Sequence, residues 1–358
     1  MKIRLATSAD NQSLLILARS TPMESQLTVN VDRAPDYFCL ANLQGRDAKV
    51  FVAEQDGVIS GAIGCSLRDV LLFGQPECIA YIGGIKVAAA ARKGLTGFRL
   101  MKAVADYLRA TPIRMAIVIT MENNTAMAPI LAGRVGMPPF HILNQFEVNY
   151  IRPVFRPMVS KRYHIRPYRA NDLESLAKLF AAFYRDYALS AEWTPARIAA
   201  MLTGQPDFNS ENILVAEKDG RLVAALTWWD QTGFKKTIVE QYGGRLKILV
   251  KLLKPFKILP AEGEPFSELN IRHVVYGENS EKAARDLIRY LISEKRRQYR
   301  LFRIGFQKKS PLGELLIGLP RLKVNLNCYI AFKDKDDESR QIISALRQSL
   351  IWEDLSLH

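Results

Sequence analysis

Short runs of apolar and polar positions repeat along this chain, and they fall in the same order twice. The alternation from Lys2 to Ala6 predicts a strand. Asp10 then caps a predicted helix through about Arg19, with Leu14, Leu15 and Leu17 as its apolar side. A second helix is predicted around Asp36 to Leu43. A strand from Lys49 to Glu54, the turn Asp56-Gly57 and a strand from Val58 to Leu67 make a hairpin. After Gly74-Gln75-Pro76, a long apolar strand runs from Cys78 to Val87, interrupted by Gly83-Gly84. The next predicted helix has Leu100, Met101, Val104 and Leu108 on its core side and Lys102, Asp106 and Arg109 opposite, and Pro112 ends it. A strand from Arg114 to Thr120, a short helix from Thr125 to Val135 closed by Gly136, and a strand from Ile142 to Ile151 complete the first half.

Pro153 and Pro157 break regular structure and mark a linker. The second half repeats the order: a strand from Tyr163 to Arg166, a helix after Asp172, a hairpin at Asp219-Gly220, a strand from Leu269 to Val275, a helix from Lys282 to Lys295, and strands from Leu301 to Phe306 and from Val324 to Phe332. The phrase Val-Ala-Glu-x-Asp-Gly stands at Val52–Gly57 and again at Val215–Gly220, and Ile3-Arg4 with Asp10 is echoed by Ile165-Arg166 with Asp172. One fold used twice is the expectation: α/β (α+β), two tandem units, each a mixed sheet flanked by helices. The units are drawn at residues 1–152 and 163–358, with 153–162 between them. A basic amphipathic helix is predicted as an insertion near 243–257, with Leu246, Leu249, Leu252 and Leu253 on one side and Lys247, Lys251 and Lys254 on another. A helix from about Glu338 to Leu350 has no counterpart in the first half.

The chain has 358 residues, 48% apolar and 24% charged, which suits globular domains rather than a disordered chain. No apolar run is long enough to span a bilayer, and the first ten residues lack the core of a signal peptide. The cysteines Cys39, Cys65, Cys78 and Cys328 form no Cys-x-x-Cys pair, so neither a zinc site nor a disulfide framework is expected, and the setting is read as cytoplasmic. His141, His164, His273 and His358 have no metal-ligand spacing. Residues 1–155 carry 16 basic and 12 acidic side chains, a net of +4, which leaves +10 of the total +14 to the rest. Lys and Arg are dispersed there, so a nucleic-acid partner is not expected, and the basic insertion leaves room for peripheral membrane contact.

The chemistry concentrates between Tyr81 and Leu108. A strand runs into a loop holding Arg92, Lys93, Gly94 and Gly97, and the loop opens a helix. Unpaired amides and the positive dipole end of a helix N-terminus favour an anion; glycine lets the backbone approach it, and Arg and Lys add charge. Gly83-Gly84 weakens the preceding strand and leaves amides free for an amide-containing ligand arm.

In these residues the sequence resembles the GNAT superfamily of acyl-CoA-dependent N-acetyltransferases. The family's Arg/Gln-x-x-Gly-x-Gly/Ala loop aligns on Gly94 as Ala91-Arg92-Lys93-Gly94-Leu95-Thr96, with Arg92 and Gly97 standing beside the two departing positions. Asn123-Asn124 also falls in place, and the resemblance covers about residues 2 to 151. It implies coenzyme A held by Ile85, Lys86, Val87, Arg92, Lys93, Gly94, Leu95, Thr96, Gly97, Asn123 and Asn124, with acetyl-CoA as donor and a small-molecule or protein amine as acceptor. The amine would attack the thioester directly once a base has taken its proton; Tyr81 and Glu122 are the candidates. The tyrosine that many relatives place in the helix after the asparagine is missing, the positions being Ile130 and Ala132. In the second half the corresponding loop, Tyr276 to Lys282, has one glycine and two carboxylates where phosphate would sit, so that half reads as degenerate. A non-catalytic acyl-CoA sensor and an aminoacyl-tRNA-dependent transferase are the alternatives.

Overall fold

A computed structural model of the chain describes residues 1–23, 27–92, 94–133, 138–244, 260–334 and 336–358. The first half consists of β1 (Lys2–Leu5), α1 (Asn11–Arg19), β2 (Leu27–Asp32), α2 (Tyr37–Leu43), β3 (Arg46–Gln55), β4 (Val58–Leu72), β5 (Gln75–Val87), α3 (Thr96–Arg109), β6 (Met115–Met121), the single turn α4 (Ala128–Leu131) and β7 (His141–Ile151). The second consists of β8 (His164–Pro167), α5 (Leu173–Tyr184), β9 (Tyr187–Ala188), α6 (Pro195–Gly204), β10 (Ile213–Lys218), β11 (Arg221–Trp229), β12 (Lys236–Tyr242), β13 (Glu268–Tyr276), α7 (Glu281–Lys295), β14 (Leu301–Gln307) and β15 (Arg321–Phe332). α8 (Asp337–Gln348) and β16 (Leu350–Ile351) follow. The predicted basic insertion falls almost entirely on 245–259 and the end of the predicted Thr125–Val135 helix, with Gly136, on 134–137, both outside the described residues.

The repeated landmarks make the same local structure in both halves. Asp56 and Gly57 have φ of 52° and 77°, and Asp219 and Gly220 have 50° and 72°. Two successive positive φ values are what a two-residue hairpin turn needs to follow the twist of its strands. The helices alternate faces as their apolar stripes require. α1 and α2 cover Val50 and Val52 while α3 covers Phe51 and Ala53. In the second half α5 and α6 cover Val215 and Ala225, while α7 packs on Leu214, Ala216 and Leu226.

The halves share one twelve-stranded sheet, in the order β1-β3-β4-β5-β6-β15-β7-β14-β13-β11-β10-β8. The last strand of each half lies across the seam. β15 pairs antiparallel with β6 over Leu326–Phe332, and β7 pairs antiparallel with β14 over Phe146–Ile151. β15 and β7 pair with each other. A ribbon of β2 with β12 ties the halves together again. α8 and the segment after it cover the seam on the α1/α2 face, where Ile343, Leu346, Ile351 and Leu355 pack on Ile117, Phe146 and Ile330.

Candidate active site

β5 pairs with β4 along nearly its whole length but with β6 only at Ala80–Ile82, opposite Ala116–Val118. From Gly83 to Val87 no pairing with β6 continues, and the two parallel strands part. Two local features turn β5 away. The β4–β5 register shifts between Ala62 and Gly64, and Gly84 has φ of +64°, a conformation in which a side chain is strained. Gly83 is required for another reason: a Cβ there would sit 2.5 Å from the Tyr81 hydroxyl. The glycine pair thus frees the strand's edge and makes room for a tyrosine folded along it.

The freed stretch leads straight to the start of α3. Ala89–Ala91 form a 3-10 turn, the Gly94 amide donates to the Ala91 carbonyl at 3.2 Å, and the first α3 bond runs from the Arg99 amide to the Leu95 carbonyl. The amides of Thr96, Gly97 and Phe98 precede that first bond, as at any helix start. Gly94 and Leu95 are exposed, Thr96 is buried, and a Cβ on Gly94 would meet only the Ala91 oxygen at 3.5 Å. Arg92 donates to the Val87 carbonyl at 3.3 Å. Ile85 and Val87 pack against the core under α3. Lys86 donates to the Thr21 carbonyl at 2.9 Å, and burial, with Arg33 and Arg92 nearby, pulls its ammonium down to about 8. Lys93 lies outside the described residues.

Asn123 and Asn124 stand beyond the end of β6, both exposed. Asn124 donates to the Thr120 hydroxyl at 2.9 Å, and the Asn123 carbonyl accepts from the Thr125 amide. Ile130 is buried in the α3 core and Ala132 is exposed, so neither offers polar chemistry. The two candidate bases do not meet. Glu122 is exposed, and its carboxylate accepts from Gln145 at 2.9 Å and Asn325 at 3.0 Å. Tyr81 is 4% exposed and faces the seam.

Around Tyr81 the structure gathers residues that spacing along the chain gives no means of finding. The tyrosine hydroxyl lies 3.0 Å from Nδ1 of His358, whose Nε2 lies 2.8 Å from Glu353. Arg68 donates to both Glu353 oxygens at 2.8 Å and stacks its guanidinium 4.0 Å over the Tyr81 ring. Burial pushes the tyrosine phenol up and the His358 imidazole down. Burial would also raise Glu353, but Arg68 and His358 outweigh it and hold the carboxyl below its usual range. Lys235 donates to the main-chain oxygens of Ser356 at 2.7 Å and His358 at 2.6 Å, and Arg303 reaches the latter at 3.3 Å. Arg33 lies over the Tyr37 ring at 4.7 Å, and its guanidinium is 3.2 Å from where a Gly84 Cβ would be. These residues come from both halves, separated by up to 285 positions, and no local motif connects them.

A strand that leaves its parallel neighbour and runs into a glycine-bearing helix start is the arrangement predicted for a pantetheine arm and a diphosphate. Residues 16–132 match the sequence model of the acetyltransferase (GNAT) family. The first half contains a GNAT domain over these residues. That domain marks the chain as an acyltransferase. The whole chain is similar in fold to N-myristoyltransferase of Saccharomyces cerevisiae solved with bound myristoyl-CoA, at 11% identity, covering 93% of this chain and 83% of that one with a TM-score of 0.63. A conserved protein from Enterococcus faecalis V583, described as a probable N-acyltransferase, aligns over 91% of this chain and 72% of its own at 9% identity, with a TM-score of 0.53. No curated protein matches the chain by sequence. Among the described residues no cluster fit to hold a metal ion occurs, and no helix is long and apolar enough to cross a membrane.

The second half repeats the parting of strands but not the opening. β13 pairs with β14 only over Glu268–Ile271, and the wedge beyond is filled by the chain itself. The Ile351 amide donates to Gln307 Oε1 at 2.8 Å, Trp352 stacks on His273 at 5.4 Å between centroids, Asp354 pairs with Arg272, and Leu355 rests on Gly305.

Proposed function

We propose that this protein transfers an acyl group from an acyl-CoA to an amine, with the donor bound by residues 1–152. The observation that carries the reading is the parting of β5 from β6 at Gly83, with the freed strand ending at the glycine-bearing N-terminus of α3. The amides of Gly83–Val87 would take the pantetheine arm. The diphosphate would lie on Gly94, Leu95, Thr96 and Gly97, with Lys86, Arg92 and Lys93 supplying charge and Asn123 and Asn124 flanking the coenzyme. Acetyl-CoA is the donor proposed first, in line with the match to the acetyltransferase (GNAT) family model. The amine would attack the thioester carbonyl directly, after losing its proton to a base at Tyr81 or Glu122. Residues 163–358 would supply one wall of the acceptor site and no second donor site, since their own wedge is occupied by Ile351–Leu355. A small-molecule or protein amine remains the acceptor class, and the cytoplasm the setting, in keeping with four cysteines that are all free.

The test is a thermal-shift titration with acetyl-CoA and longer acyl-CoAs, followed by thiol release against an amine panel. A ligand at 100 times its Kd should stabilise the protein by about 2.7 kcal/mol. Gly94→Glu should abolish the shift and Glu278→Lys should leave it intact. Calorimetry should give one acyl-CoA per chain. A shift without thiol release for any amine would make the protein an acyl-CoA sensor, and no shift with any acyl-CoA would remove the reading altogether.

A further inference from the structure

We infer that Tyr81, His358 and Glu353 form a proton relay that serves the acceptor amine, with Tyr81 as the catalytic residue and the other two positioning it and storing its proton. The inference rests on the acyl-CoA reading above and assigns its chemistry. The strand direction places the thioester. If the diphosphate lies at Gly94–Gly97, the arm runs back along Val87 toward Gly83, and the acyl end arrives where β5 and β6 part. The Tyr81 hydroxyl is already there, folded over Gly83.

The direction of the relay follows from its far end. Glu353 is anionic, since Arg68 donates to both its oxygens. A carboxylate only accepts, so His358 must carry hydrogen on Nε2, which faces it at 2.8 Å. A neutral imidazole then has a lone pair on Nδ1, and the Tyr81 hydroxyl must donate to it across 3.0 Å. That leaves the oxygen lone pairs of Tyr81 unused by this bond, beside Gly83 where the strands part. Tyr81 takes a proton from the acceptor ammonium while its own passes to Nδ1, and the imidazolium so formed sits against Glu353. The neutral amine forms the N–C bond. As the C–S bond breaks, Tyr81 gives a proton to the leaving thiolate and is refilled from His358. The extra proton on the new amide nitrogen goes to solvent, so one proton is released per turnover.

His358 is faced by Glu353 of its own segment, Arg68 of β4, Tyr81 of β5 and Lys235, which precedes β12. Arg303 of β14 reaches its main-chain oxygen, and the buried Cys328 thiol of β15 lies near Tyr81 and Glu353. Burial, Arg68 and Lys235 oppose protonation of the ring and Glu353 supports it. The stored proton is therefore held only transiently. The segment is fixed by what fills the second-half wedge: Ile351 on Gln307, Leu355 on Gly305 and the Arg272–Asp354 pair. The second half's unused groove thus anchors the proton store that serves Tyr81 of the first half.

The test combines a spectrum with a pH profile. In protein labelled with 15N at histidine, two-bond proton–nitrogen correlations, assigned with His358→Gln, should report His358 as the Nε2–H tautomer. With acetyl-CoA and the fastest amine of the panel, Tyr81→Phe should lower kcat by about 10²-fold or more. The wild-type kcat/KM should rise with pH as His358 becomes neutral, and His358→Gln should lose that limb. Both variants should keep the acetyl-CoA thermal shift, which also certifies their folding. An Nδ1–H tautomer, or a limb retained in His358→Gln with full turnover in Tyr81→Phe, overturns the relay alone. No acyl-CoA shift in the unaltered protein overturns the acyl-CoA reading first and the relay with it.

Discussion

Arg4 and Arg166 hold the same two partners in the two halves. Arg4 meets Asp10 at 2.8 Å and Glu54 at 2.5 Å; Arg166 meets Asp172 at 2.7 Å and also Glu217. The repeated Ile-Arg, Asp and Val-Ala-Glu-x-Asp-Gly residues are thus one ion-pair triad built twice, which explains why both landmarks recur together. Their depths differ: the Arg4 side chain is 29% exposed and that of Arg166 8%. Arg166→Ala should therefore destabilise by roughly 3 kcal/mol, because it strands two carboxylates in a drier site, and Arg4→Ala by about 1 kcal/mol. Denaturant midpoints for the two variants would check the order. His273 makes a second residue-scale prediction. It is fully buried, with Tyr184 on Nδ1 at 3.1 Å and no partner on Nε2, and burial pulls its imidazole down to about 3. The unfolded chain binds this proton near pH 6.5 and the folded chain does not. Stability is therefore full above pH 6.5 and falls toward pH 3, by up to roughly 1.4 kcal/mol per pH unit from this group. His273→Phe should flatten that part of a stability-versus-pH curve measured by urea unfolding.

Element by element, the parting of β5 from β6 is legible in the sequence. Gly83-Gly84 in an apolar run has few other physical uses, and the loop glycines before a helix start point the same way. The short helix after Asn124 is less so: the four-residue α4 follows a 3-10 turn, with Pro129 in its first turn, and Gly133 at φ of 73° ends it. The β2–β12 ribbon was missed, since each strand covers six or seven residues and finds its partner about 200 positions away. The filling of the second wedge also belongs to this scale. A Cβ on Gly305 would sit 2.6 Å from Leu355, so Gly305→Val should push the Leu350–Leu357 segment off the sheet. Limited proteolysis should then cut near residue 350 faster than in the wild type, and Leu355→Gly in the same chain, which removes the clashing Cβ, should restore part of the protection.

Across the whole molecule the seam is where the two copies depend on each other. β15 completes the sheet beside β6, and β7 completes it beside β14, so each half borrows the last strand of the other. Residues 1–152 and 163–358 expressed separately should each leave a buried strand position empty and an edge exposed. Neither should give a cooperative thermal transition alone, while mixing the two should restore one, as circular dichroism would record. Local order was determined by the sequence: the repeat, the tight hairpin turns at Asp56-Gly57 and Asp219-Gly220, the alternating helix faces and the phosphate-type loop all depend on residues a few positions apart. Tertiary structure alone decided which strand fills which gap and which side chains meet Tyr81. Strand exchange leaves the apolar pattern of β7 and β15 unchanged, because both positions are equally buried and pair antiparallel on either side. The Tyr81–His358–Glu353–Arg68 cluster joins groups up to 285 residues apart, and only closing the chain over the seam brings them within hydrogen-bond reach.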